Sequence, residues 1–144
     1  MSRPRTGNKR QRLIDAAVRL FARKGYFYTT TAEVSAQAGV ASGTLYLYFN
    51  SKDDLLAAAL NEFLEAFERE VLPQAQRCAD ARSGLRAFVE SFADFVTRNQ
   101  DLARVFFVES RQSNSALLSQ ASAAEARYFG LTQSFLASLG EGTE

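Results

Sequence analysis

Residues 30–55 read TTAEVSAQAGVASGTLYLYFNSKDDL, and their spacing decides the fold. Thr30 stands three positions before Glu33, the arrangement in which a hydroxyl and a carboxylate satisfy the free N–H groups of a helix start reciprocally. A short helix is therefore predicted over 31–38, and Gly39 supplies its stop, because the residue after a last turn commonly needs positive φ. Val40 and Ala41 bridge to a second short helix over 43–49, with Ala41 or Ser42 at its start. Ser51 and Asp54 repeat the box and open a long helix. Val34 and Ala38 are expected to face inward, with Val40 plugging the angle between the helices. Two short helices joined by a tight glycine turn form the unit whose second helix enters a DNA major groove.

Outward from this stretch the pattern stays helical. Leu13, Ala16, Ala17, Leu20 and Phe21 recur at i, i+3, i+4, i+7 and i+8, one apolar face of a first helix over about 8–24 that Gly25 stops. The long fourth helix is expected to close at Pro73. Leu85, Phe88, Val89, Phe92, Phe95 and Val96 stripe a fifth helix. Asn99 is expected to cap a sixth carrying Leu102, Val105 and Phe106, and a seventh runs over about 115–139 with Gly130 as a weak point. No segment alternates as a strand does. The fold class is all-α. A three-helix helix-turn-helix domain over 1–52 precedes a helical ligand-binding and dimerisation body over 53–144.

Composition prunes the chemistry. With 47% apolar and 23% charged residues, 144 residues can build a packed core. No apolar run approaches the roughly 20 residues of a bilayer span. The basic N-terminus has no apolar segment behind it to make a secretory signal, and the single Cys78 suits a reducing compartment, so a soluble, cytoplasmic protein is expected. The absence of histidine removes the Ser-His-Asp triad, the Cys-His pair and the commonest metal ligand together. The eight glycines form neither a phosphate-cradling loop nor a dinucleotide fingerprint. Asp53 and Asp54 are adjacent helical residues that point apart. No enzyme, metal site or cofactor is expected. Formal charge is split, +7 over residues 1–52 and −6 over 53–144, which suggests that one end faces a polyanion; a solvated basic tail would give the same sum.

Gly25-Tyr26, Thr29-Thr30, Ala38-Gly39-Val40, Gly43-Thr44-Leu45-Tyr46, Tyr48-Phe49 and Ser51-Lys52-Asp53-Asp54-Leu55 closely resemble the DNA-binding domain of TetR-family transcriptional regulators. The resemblance covers about 8–58. It implies a homodimer whose third helices lie in the major grooves of a palindromic operator on double-stranded DNA, usually repressing. On matching positions it implies that Ser42, Gly43, Thr44, Tyr46 and Tyr48 contact DNA and that Thr30 and Lys52 anchor phosphates, with Leu45 and Phe49 in the core. One departure concerns Ala41 and Ser42, where the family often carries serine and then lysine. It leaves the start of the third helix open by a residue.

The segment from Leu102 to Asn114, LARVFFVESRQSN, is similar to the junction of the sixth and seventh helices in FadR-type members, repressors of fatty-acid degradation released by long-chain acyl-CoA. That likeness implies an effector between the fourth and seventh helices. Phe88, Phe92 and Phe107 would line an apolar tunnel, and Arg104, Arg111 and Asn114 would lie near the head group. Phenylalanine stripes serve equally as filled core, and Glu109 with Arg111 equally as braces of the junction. The family usually continues with two long helices that build the dimer interface, so the body is expected to be incomplete after Gly140. Three alternatives remain: a related regulator of another apolar effector, such as a drug; a small-molecule binding module that no longer regulates; and a helical interaction adaptor.

If the head cations meet phosphates, DNA affinity falls with salt by about 0.9 log unit per log unit for each phosphate neutralised. Binding isotherms across a salt series measure the slope, and a flat response would remove the electrostatic contact.

Overall fold

The computed structural model describes residues 8–112 and 115–140. Its helices are α1 (Lys9–Lys24), α2 (Thr31–Ala38), α3 (Ser42–Leu45), α4 (Lys52–Glu70), α5 (Leu72–Gln76), α6 (Ala81–Arg98), α7 (Gln100–Phe107) and α8 (Ser115–Gly140), with a 3-10 turn over Glu109–Gln112. The all-α expectation holds, and no strand occurs among the described residues. None of the described helices is long and apolar enough to cross a membrane.

Local chemistry explains the ends. Asn8 Oδ1 accepts the Arg10 N–H at the start of α1. At α2 the box is complete: Thr30 Oγ1 accepts the Glu33 N–H at 3.2 Å while Glu33 Oε2 accepts the Thr30 N–H at 2.8 Å. Gly39 sits at φ 66°, the left-handed conformation that lets the chain reverse at little cost. The carbonyls freed there are taken by Arg12 of α1, whose Nη2 donates to Ala38 O at 2.5 Å and Gly39 O at 3.0 Å. At α4, Ser51 Oγ accepts the Asp54 N–H, but Asp54 Oδ2 accepts from Asn50 rather than from the cap residue itself.

Two expectations are corrected, and a third holds in position but not in its bond. The second short helix ends at Leu45 instead of running to 49; Leu47 N and Tyr48 N bond back only three residues, to Thr44 O and Leu45 O, so the path tightens into turns that swing Phe49 into the core. Its N-cap is Ala41, which has no side-chain oxygen to give. Pro73 does not close α4, which ends at Glu70; it lies in the first turn of α5, where a missing N–H costs nothing. Asn99 holds the N-cap position of α7 as expected, but its side chain serves α6 instead, Nδ2 donating to Phe95 O.

α4 is the spine and packs against α1, α6, α7 and α8. It buries Leu55, Leu56, Ala59, Leu60, Phe63, Leu64, Ala66 and Phe67. Phe63 stacks on Phe106 with centroids 4.1 Å apart and meets Phe95 and Phe107 edge-on, both at 5.4 Å. Head and body therefore share one apolar core.

Phe63→Ala should destabilise the protein by about 3–5 kcal/mol, through lost transfer energy and a cavity that rigid neighbouring rings cannot fill. Urea unfolding measures it, and an unmoved midpoint would contradict the assigned centre. The Lys24 ammonium, then the N–H and hydroxyl of Thr30, hold the Glu33 carboxyl at about 2. Because that value is depressed, the box contributes stability above the ordinary glutamate range and loses it as pH falls through about 2. A carboxyl titration by nuclear magnetic resonance should find this midpoint and see it rise with salt, since the Lys24 pair is exposed to screening.

Candidate DNA-reading head and effector body

A helix of four residues is marginal by itself, so α3 depends on what it buries. Leu45 is fully buried and Phe49 is 5% exposed, one before and one after the tyrosine turn. Between these two anchors the chain bulges outward. Ser42, Gly43, Tyr46, Leu47 and Tyr48 are exposed, with Leu47 at 80% and Tyr46 at 57%, while Thr44 is half-buried. Open space surrounds Gly43, where an added Cβ would meet nothing within 4 Å. Tyr46 Oη lies 3.1 Å from Thr31 Oγ1, which ties the ridge to the start of α2. Phe27 and Tyr28, exposed on the turn between α1 and α2, add aromatic surface to the head that the sequence motifs did not single out.

Several head cations are already engaged. Arg12 holds the end of α2, and Lys24 Nζ pairs with Glu33 Oε1 at 2.5 Å. The Arg10 guanidinium stands 5.3 Å from the centre of the Phe49 ring. Lys52 Nζ donates to Tyr26 O at 2.8 Å and Phe27 O at 3.4 Å and lies over the Tyr26 ring; burial pulls its pKa down. The Thr30 hydroxyl donates to Glu33 Oε2 while accepting the Glu33 N–H. Both expected phosphate anchors are thus built into the head's own bonding. Arg3 and Arg5 lie outside the described residues.

In the body, Phe88, Phe92 and Phe107 come together. Phe88 stacks on Phe135 at 5.0 Å, Phe92 meets Phe107 edge-on at 6.5 Å, and Tyr128 of α8 closes on Phe67 and Phe107. Arg104 and Arg111 are exposed and serve carboxylates: Arg104 acts electrostatically on Glu109, and Arg111 Nε lies 3.8 Å from Glu125 Oε1. Asn114 lies outside the described residues. A polar cleft of about 290 Å³ lies where α1 and α4 meet the α6–α7 joint, lined by Asp15, Arg19, Glu62, Arg98 and Asp101 among others.

Two important residues were not foreseen as partners, Tyr26 and Glu109. Both are buried at 3% exposure, and Glu109 Oε2 accepts the Tyr26 N–H at 3.0 Å across 83 positions of sequence. Tyr26 also donates its hydroxyl to Asp53 Oδ1 and packs edge-on against Phe21 at 5.3 Å. Burial, then the neighbouring Asp54, pushes the Asp53 carboxyl up, and burial pushes Glu109 up against the opposing pull of Arg104. No local pattern announces a pairing of this range.

Residues 13–59 match the family described as bacterial regulatory proteins, tetR family. The chain is 34% identical over 109 residues to the fatty acid metabolism regulator protein of Bacillus subtilis, across 76% of this chain and 56% of that protein. The fatty acid degradation regulator FadR from Bacillus halodurans superposes with a TM-score of 0.82 at 32% identity, covering 92% of this chain and 69% of that one. FadR from Bacillus subtilis in complex with stearoyl-CoA gives 0.77 at 29% identity, covering 89% and 69%. The chain spans about half the length of curated relatives it matches. With this family match, these relatives and an outward α3 ridge held by two buried anchors, the chain belongs to the tetR family of bacterial regulatory proteins.

Proposed function

We propose that this protein is a DNA-binding repressor of fatty-acid degradation genes that long-chain acyl-CoA releases from its operator. The observation that carries the reading is the α3 ridge. Small and hydroxyl-bearing residues are held outward there by buried Leu45 and Phe49, a shape with no use in core packing. Residues 1–52 act on DNA. Ser42, Gly43 and Thr44 approach base edges, and Tyr46 and Tyr48 reach phosphate oxygens. Lys52 has a third N–H beyond the two given to carbonyls, and Thr30 places the start of α2 at the backbone. A homodimer sets two such ridges about one DNA turn apart, roughly 34–36 Å, which calls for an inverted-repeat operator.

Residues 53–144 act on the effector. A relative 29% identical to this chain was solved with stearoyl-CoA, and here Phe88, Phe92 and Phe107 meet at an apolar centre among α4, α6, α7 and α8. Arg104 and Arg111 stay exposed enough to meet phosphates. The protein works in the cytoplasm by binding, without catalysis.

Operator DNA recovered by unbiased selection should be an inverted repeat. Thr44→Ala and Tyr48→Phe should each weaken binding several-fold with helix content unchanged. Operator release, titrated with acyl-CoAs of increasing length beside free CoA and free fatty acid, should strengthen with the tail by about 0.8 kcal/mol per buried methylene until the space is filled. Release that ignored chain length, or that free CoA matched, would leave a regulator of a different effector.

A further inference from the structure

We propose that Glu109 is the positioning residue that carries the state of the body into the DNA-binding head, through its hydrogen bond to the Tyr26 amide; this rests on the function proposed above. The contact is unusual in kind. A carboxylate on the 3-10 turn between α7 and α8 is 3% exposed, and its Oε2 accepts the Tyr26 backbone N–H at 3.0 Å, just beyond α1. A desolvated carboxylate is costly unless its bonds are made, so the partner it selects is strongly specified.

On the head side, the signal has a direct path. Tyr26 receives the Lys52 ammonium on its carbonyl and gives its hydroxyl to Asp53, the first two residues of α4. Those residues follow Phe49 and Ser51, the exit of the reading ridge, so a displaced Tyr26 moves the ridge's own root. Gly25, at φ 91°, takes a backbone conformation that other residues rarely adopt and so sets the course of the chain into Tyr26; the space beside it is ample, since an added Cβ would stand 3.7 Å from Glu109 Oε2, an ordinary contact.

On the body side, Glu109 is joined to the aromatic centre within a few bonds. Ser110, its neighbour, is 1% exposed; it donates to Phe106 O at 2.6 Å and lies 3.2 Å from Glu125 of α8. Phe106 in turn stacks on Phe63 at 4.1 Å. A ligand tail entering between α4, α7 and α8 must displace these rings, and a close-packed interior passes the displacement on rather than absorbing it. Glu109 is where that displacement meets the head.

The test uses Glu109→Ala, Glu109→Asp, which keeps the charge but withdraws its reach, and Glu109→Gln, which keeps an oxygen to accept the N–H. The readout is the ratio of operator Kd with saturating stearoyl-CoA to that without it, on variants whose helix content matches the parent. Glu109→Ala and Glu109→Asp should cut the ratio at least fivefold, in the ordinary range of coupling between sites, and Glu109→Gln should restore it to within about twofold. A purely structural role would shift both affinities together and leave the ratio intact, which would overturn the proposal. A second arm needs neither DNA nor effector: spin labels at Ala36→Cys and Ala93→Cys in a Cys78→Ser background, diluted with unlabelled protein. One narrow distance should broaden in Glu109→Ala and return in Glu109→Gln; an unchanged width would also overturn the proposal. Should stearoyl-CoA fail to release the parent protein, the effector assignment falls and this distance arm alone decides the role of Glu109.

Discussion

The α3 ridge cannot support itself, and that constraint organises the molecule. Four residues of α3 supply almost no intrinsic helix stability, and the turn after them exposes two tyrosines and a leucine to water. Their conformation is stabilised by Leu45 and Phe49, which belong to the same apolar core as α1, α4 and the body. The price of an outward-facing ridge is thus met by burial elsewhere, and the head has no separate core to fall back on. This is why α1 touches α2, α4 and α7 alike, and why the single helix α4 serves both ends of the chain.

The charge split has a physical partner in this arrangement. Much of the positive charge near α3 is spent on keeping the head in shape: Arg12 on the carbonyls of α2, Lys24 on Glu33, Lys52 on the Tyr26 turn. A count of cations in the sequence overstates the charge free to meet phosphates, because it cannot see which guanidinium or ammonium already has a carbonyl in front of it.

What could be read in advance was local, and what could not was long-range. Thr30 with Glu33 and Gly39 fixed α2 to the residue, since a cap depends on neighbours three or four positions away. The end of α3 escaped because Tyr46 and Tyr48 are compatible with helix, and only the pull of Phe49 into the core decides otherwise. Pro73 falls in the first turn of α5 rather than at the end of α4, because proline stops a helix in its interior but suits a first turn, and the sequence does not say which applies. Among the candidate residues, Leu45 and Phe49 lie in the core as expected, and Ser42, Gly43, Tyr46 and Tyr48 are exposed with Thr44 half-buried. The engagement of Lys52 and the Tyr26–Glu109 contact rest on chain segments 26 and 83 residues apart, which no spacing rule reaches.

Arg12 and Lys24 have one more consequence. They fasten α1 to α2 at opposite ends, one at the last carbonyls of α2 and the other at its first turn. Ties at opposite ends resist a swivel of α2 against α1 and favour movement of the head as a unit, the exposed Lys24–Glu33 tie being the weaker of the two. On the function proposed, its choice of bases is then a constant of the molecule, the same in every state the body adopts. Occupancy of the body would alter how often a site is filled and leave the list of preferred sites as it was: a volume control, with the tuning fixed.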